Sequence, residues 1–203
     1  MSAPLSPIGR VSFDAVYQPD AMEEGQEKKY GITLLIPKQL DDPAQKALLK
    51  QMWTKANSLA VEKFGVGLGE KDKTGKVIKS PFRDGSEKDH LDGYDDTIRF
   101  VRFSGRIKPN VVDQRKQPIP ENSGFYAGCY AHVTYTVYAY QKVNKGIGFG
   151  LCNVQKVADG EPFGAAMTDP DDDFDEVPTS GMEDVDQMLS GETAAVADDD
   201  IPF

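Results

Sequence analysis

Residues 126–140 read Tyr126-Ala-Gly-Cys-Tyr-Ala-His-Val-Thr-Tyr-Thr-Val-Tyr-Ala-Tyr140. Two classes of side chain alternate along this stretch. Ala127, Cys129, Ala131, Val133, Tyr135, Val137 and Ala139 fall on one face, and Tyr126, Tyr130, His132, Thr134, Thr136, Tyr138 and Tyr140 on the other. A period of two is a β-strand. The odd face, small and apolar, suits a tight core. The even face is a row of rings and hydroxyls that can touch a ligand and still tolerate water. The run is longer than most strands, so it is expected to bend, with a bulge at Gly128. Lys142, Asn144, Lys145 and Gly146 then make a turn, and Ile147–Val157 reads as a return strand in which Gly148 and Gly150 permit close approach of other groups to the backbone. A long, bent hairpin of this kind suits a small barrel.

Upstream, Arg10–Tyr17 alternates with Val11, Phe13, Ala15 and Tyr17 on one face, and Lys28–Ile36 with Tyr30, Ile32, Leu34 and Ile36. These are the first two strands, joined across the polar segment Pro19–Gln26. Asp42, Pro43 and Gln45 supply an N-cap, a first-turn proline and the third-position amide of a capping box, which predicts a helix. Ala44, Leu48, Met52, Ala56, Ala60 and Phe64 form its apolar stripe, with Trp53 and Leu59 beside it as core residues, and Gly65 is its C-cap. Gly65–Asp96 loses all periodicity and reads as a long mobile excursion. Thr97–Ser104 is another strand, followed by a proline-punctuated loop through Pro109, Pro118 and Pro120.

The chain has 203 residues and a formal net charge of −10, but the charge is unevenly placed. No Lys or Arg follows Lys156, and residues 169–203 carry thirteen of the 33 acidic residues, so the preceding part holds 23 basic residues against 20 acidic. A mildly basic body therefore precedes a strongly acidic tail, and the low overall pI does not argue against an anionic ligand. Between Arg99 and Lys116 six residues are basic and only Asp113 is acidic. Cations interleaved with aromatics suit a surface that neutralises phosphates while stacking bases; a charged edge strand, protected against aggregation, is the competing reading.

Catalytic and metal-binding motifs fail on spacing. Gly69–Lys76 has five residues between its glycines and Val77 after the lysine, which breaks the phosphate-binding loop pattern. Asp84, Asp89, Asp92, Asp95 and Asp96 lack the spacing and closing Glu of a calcium loop. Cys129 and His132 point to opposite faces of a strand, and no second pair completes a metal site. Gly146, Gly148 and Gly150 lack the dinucleotide fingerprint, because Leu151 follows. His90 and His132 have no nucleophile partner in a motif. The reading is a non-enzymatic chain with no cofactor and no metal. Two cysteines are too few for a disulfide framework and in a reducing compartment read as buried thiols; no apolar run is long enough to span a membrane and Met1–Arg10 does not resemble a signal peptide, so a cytoplasmic protein is expected.

After Phe163 the composition turns to Asp, Pro, Gly, Ser and Thr, which predicts a disordered tail over 166–203 behind a folded domain over 1–165. The tail ends Asp198-Asp199-Asp200-Ile201-Pro202-Phe203, three carboxylates before an apolar tip, which fits an apolar pocket ringed by Arg or Lys on another protein. This tip resembles that of bacterial single-stranded-DNA-binding proteins, which implies recruitment of replication, recombination and repair proteins. The body resembles instead the single-stranded-DNA-binding proteins of tailed phages. That resemblance rests on Tyr30-Gly-Ile-Thr-Leu-Leu-Ile-Pro-Lys38, Pro81-Phe-Arg-Asp-Gly85, Pro109-Asn-Val-Val-Asp113, Gly128-Cys-Tyr130 and the run from Gly150 to Gly160.

The expected fold is therefore mainly β: an OB-type five-stranded barrel with one helix between strands 2 and 3, long loops and the acidic tail. The expected function is sequence-independent binding of single-stranded DNA. Bases would stack on Tyr126, Tyr130, Tyr138 and Tyr140 beside His132, while Arg99, Arg102, Arg106, Lys108, Lys142 and Lys145 follow the backbone. The rivals are an RNA-binding or RNA-chaperone protein of similar fold and an adaptor that works through its tail alone.

Overall fold

The computed structural model describes residues 3–21 and 27–164. Among these the chain forms seven strands and one long helix: β1 (Gly9–Asp20), β2 (Lys29–Pro37), α1 (Pro43–Phe64), β3 (Phe82–Asp84), β4 (Ile98–Gly105), β5 (Asn110–Val112), β6 (Tyr130–Gln141) and β7 (Lys145–Ala158). A 3-10 turn over Gly85–Lys88 follows β3. No described helix is long and apolar enough to cross a membrane.

β1 pairs with β2, β2 with β4, β6 with β7 and β6 with β1, all antiparallel. A short parallel contact, Phe103 opposite Phe149 and Ser104 opposite Gly150, then joins β4 to β7. The pairings thus close a ring of five strands, an OB-like arrangement, with α1 between the second and third of them and the short β3 and β5 added to β4 and β7. Inside the ring Val11, Ile32, Leu34, Ile36, Val101, Phe103, Val133, Tyr135 and Phe149 are buried in one core. Phe103 and Phe149 stack at 5.5 Å between centroids, and Tyr135 meets Phe149 edge-on at 5.1 Å. A smaller cluster of Leu35, Tyr94 and Phe100, with Phe163 packed against it, covers part of the outer face.

The helix begins as the sequence dictates: the Asp42 carboxylate accepts from the Ala44 amide at 2.8 Å, and Gly65 ends it with φ 78°. Gln45 does not close the capping box; its side-chain oxygen accepts from the Ile8 amide at 2.8 Å and ties α1 to the N-terminal segment. Met52, Ala56 and Ala60 are the buried stripe, and α1 packs on β6 and β7.

Four expectations change. β6 starts at Tyr130, and the bulges lie on its partner β7, where Cys152 and Val157 are the extra residues. Gly128 instead occupies the preceding turn, where its φ of 117° excludes most side chains. In β1 the register slips at Ser12, between the pairs Val11–Leu34 and Phe13–Thr33, so Val16 turns into the core and Phe13 is left 44% exposed. Trp53, expected in the core, is 51% exposed. The stretch 65–96 is packed rather than loose: Ile78 and Tyr94 are buried, and Asp84 caps the 3-10 turn in a capping box with Glu87.

Tyr135 faces the core, as the alternation implies, but its hydroxyl is buried with no hydrogen-bond partner among the described residues, and burial pushes its pKa up to about 12. A buried, unpaired hydroxyl costs about 1–3 kcal/mol. Tyr135→Phe should therefore raise the melting temperature, whereas Tyr135→Ala, which empties the ring's site, should cost about 3–5 kcal/mol; thermal and denaturant unfolding of the two variants separates these effects.

Candidate nucleic-acid interface

Three side chains of β6 lie across three glycines of β7. Tyr140, Tyr138 and Thr136 pair with Gly146, Gly148 and Gly150 on the outer face of the barrel. A Cβ at Gly148 would stand 2.6 Å from the Tyr138 ring, and one at Gly146 would stand 2.5 Å from the Tyr140 hydroxyl. The rings therefore occupy space that only glycine leaves open, lying against bare backbone with their other sides outward. Tyr138 is 43% exposed. The close approach that the sequence predicts at Gly148 is thus made by a ring of the same sheet.

Beside these rings is a cleft of about 280 Å³ whose lining includes Arg83, Lys88, Arg102, Tyr138, Tyr140 and Ser104. It contains three cations and no carboxylate. Arg102 projects outward from β4 over Gly31, where a Cβ would come within 3.2 Å of its guanidinium. Burial pulls its pKa below the ordinary value, against the opposite pull of Asp20. Lys88 has its ammonium 4.9 Å from the Phe13 ring centre and 5.4 Å from that of Phe100. Its pKa is lowered by burial first and then by the neighbouring charges of Arg83 and Arg102. Arg83 bonds to Glu87 just outside the lining and lies 4.9 Å from the Phe100 ring centre. A second cleft, lined by Phe13, Asp14, Gln18 and Asp20, shares Lys88 and Arg102 with the first. Phe13, Arg83 and Lys88 were not singled out from the sequence. Phe13 is turned outward by a bulge, and the other two come from the segment that carries no periodicity.

Of the residues that the sequence singles out, the structure brings Arg102, Tyr138 and Tyr140 together. Tyr130 and His132 stand at the opposite end of β6; Tyr130 packs beside Gly160, and His132 bonds to Gln155 at 2.9 Å. Tyr126 precedes the strand, and its hydroxyl bonds to the Gly160 carbonyl at 2.8 Å and to Asp159 at 3.0 Å. Arg99 lines a different cleft, beside α1. Arg106 is exposed and pairs with Glu27 at 2.8 Å, Lys108 lies 5.9 Å from the Tyr17 ring centre, and Lys142 is exposed in the β6–β7 turn. Lys145 donates to the buried Asp72 carboxylate at 2.5 Å, which ties the 67–79 segment to the barrel. The tip residues Asp198–Phe203 lie outside the described residues.

A model of the family described as the single-stranded-DNA-binding protein of Enterobacter phage Enc34 matches residues 6–188. This chain belongs to that family. Its members are binding proteins and not enzymes. Protein p50 of Acyrthosiphon pisum secondary endosymbiont phage 1 is 27% identical over 173 residues, covering 83% of this chain and 90% of p50. The fold is also that of the single-stranded-DNA-binding protein of bacteriophage Enc34, solved in complex with single-stranded DNA. That comparison gives a TM-score of 0.60 and 22% identity, over 79% of this chain and 88% of that one. Gp2.5, a single-stranded-DNA-binding protein of bacteriophage T7, matches with a TM-score of 0.51 and 20% identity over 87% of this chain and 95% of that one.

The Asp72 carboxylate is held well below the usual range by Lys145, by the Thr74 hydroxyl and by the Thr74 and Lys76 amides. A carboxylate whose pKa is lowered by folding adds stability above its unfolded value, near 3.8, and loses that contribution as the pH falls towards its folded value. Asp72→Asn should therefore lower the melting temperature at neutral pH, and the deficit should shrink in acid below pH 3.8; melting curves of both proteins across that range would show it.

Proposed function

We propose that the protein binds single-stranded DNA without sequence preference, stacking bases on Tyr138 and Tyr140 while Lys88 and Arg102 neutralise phosphates, beside Arg83, which is bonded to Glu87. The observation that carries this reading is the cleft that joins two outward tyrosine rings to three cations with no carboxylate in its lining. Every base has a π-face, so stacking on tyrosine tolerates any sequence, while paired bases in a duplex keep those faces covered. Crowded, partly buried cations repel one another, and a phosphate relieves that repulsion. Phe13 extends the platform beyond Lys88 and Arg102. Tyr130 and His132 lie on the path of a longer strand along β6, and Lys108 and Lys142 stand as outer contacts on exposed segments, whereas Arg106 is held by Glu27. The family and the DNA-bound state of its Enc34 relative support DNA over RNA as the ligand.

Titration with labelled oligo-dT, the matched RNA and the matched duplex at two salt concentrations tests the reading. Tyr138→Ala should weaken single-strand binding by about 1–3 kcal/mol with little change in melting temperature. Gly148→Ala should weaken it as well, since the added methyl displaces the Tyr138 ring. Lys88→Ala should make the log–log salt slope shallower by about 0.7. Equal affinity for duplex and single strand, or full affinity in Tyr138→Ala, would refute it. Burial sets Lys88 to lose its proton at lower pH than an ordinary lysine, so affinity should begin to fall at lower pH than in Lys88→Arg, which should flatten that part of the profile.

Recruitment of replication, recombination or repair proteins through Asp198–Phe203 is the second part of the proposal. Its support is the sequence of the tip, an apolar Ile-Pro-Phe run with an aromatic ring after three aspartates. Deleting Phe203 keeps every side-chain carboxylate, so oligo-dT affinity should hold while capture of such proteins from infected-cell lysate is lost. An unchanged captured set would remove recruitment from the function.

A further inference from the structure

A cleft of about 940 Å³ lies between α1 and the β3–β4 edge, apart from the tyrosine rings. Trp53, the only tryptophan of the chain, is half exposed in its wall. Lys46, Lys50 and Trp53 follow one another at spacings of four and three along α1, which sets two ammonium groups and an indole on one side of the helix. Arg99 lines the same cleft. Its lining carboxylates Asp84 and Glu87 are already paired, with Lys38 at 2.6 Å and Arg83 at 2.5 Å, so only Asp41 stands against Lys46, Lys50 and Arg99.

Ser80 and Arg83 line both this cleft and the tyrosine cleft. The two are neighbours with a shared wall, and a strand that leaves Tyr138 past Arg83 arrives beside Trp53. We infer that the Trp53 cleft is a second single-stranded-DNA subsite, in which the indole stacks a base and Lys46, Lys50 and Arg99 hold the adjoining phosphates. This rests on the proposed use of the tyrosine cleft and extends it. The subsite lengthens the footprint of one protein on the strand without changing what is bound. It also accounts for a large apolar ring left in solvent on a helix whose buried stripe is complete without it.

Trp53 itself reports the outcome, because a stacked base quenches indole emission. The full-length protein is titrated with oligo-dT of about four and about twelve nucleotides, lengths that bracket the site size of one OB fold. Affinity is read separately from the anisotropy of labelled oligomers. The longer oligomer should quench Trp53 and the shorter should bind without doing so. Trp53→Ala should weaken the longer oligomer on the order of 10- to 100-fold and leave the shorter unchanged. Lys46→Glu with Lys50→Glu should likewise act on the longer oligomer alone. If both lengths bind Trp53→Ala as they bind the wild type, and emission does not change, the inference is overturned while the tyrosine cleft stands. If neither length binds the wild type, the function itself is wrong and the subsite falls with it.

Discussion

The fold depends on a short seam. Only Phe103–Phe149 and Ser104–Gly150 join β4 to β7, yet that seam turns an open sheet into a ring and decides what is inside and what is outside on every strand. The two strands run parallel there, and the seam holds because Phe103, Phe149 and Tyr135 pack ring against ring beneath it. The same residues that fill the core thereby set the outer face, on which Tyr138 and Arg102 meet although they are 36 positions apart in the chain. A ring with no open edge between these strands leaves its outer face free to carry a ligand.

Where alternation is uninterrupted, the sequence is a good guide to this geometry. Ala131, Val133 and Tyr135 point inward and Tyr130 and Tyr138 outward, as a period of two requires. It fails where one residue is inserted. The bulge at Ser12 leaves Phe13 outward and lets Val16 turn inward, and no residue type in Arg10–Tyr17 marks its position; Ser12 is held outward by a hydrogen bond to Tyr94, a residue 82 positions away. The segment 65–96 was illegible for a related reason. It is held by single long-range contacts, Ile78 in the core, Asp72 on Lys145 and Asp84 on Lys38, and none of these has a period. Trp53 was misplaced because helical spacing gives the width of an apolar stripe poorly, and the stripe of α1 is narrow, limited at full burial to Met52, Ala56 and Ala60.

Charge tells the same story at two scales. The whole chain is acidic, yet Arg102, Lys88 and Arg83 converge where no carboxylate lines the wall. Other cations that look equivalent in the sequence have been put to structural use: Lys145 on Asp72, Lys156 on Asp159, Arg106 on Glu27, and Arg10 against the Phe163 ring at 4.0 Å. Of the three that converge, Arg83 is itself bonded to Glu87, whereas Lys88 and Arg102 have no ion-pair partner among the described residues, a difference that only the folded chain reveals. Local composition can show that a segment is basic; it cannot show which of its charges are still unneutralised once the strands have met.

The glycines under the tyrosines have a dynamic consequence. A tyrosine on an ordinary strand swings among rotamers, and stacking a base on it must first freeze that motion. Tyr138 and Tyr140 rest on the backbone of β7 and are held there before any ligand arrives, so the ordering belongs to folding and not to binding. Each ring also offers only one side, since the sheet covers the other. In the proposed binding mode a base would rest on such a ring without being sandwiched by it, and a strand lying along the sheet would slide from ring to ring without either partner having to open.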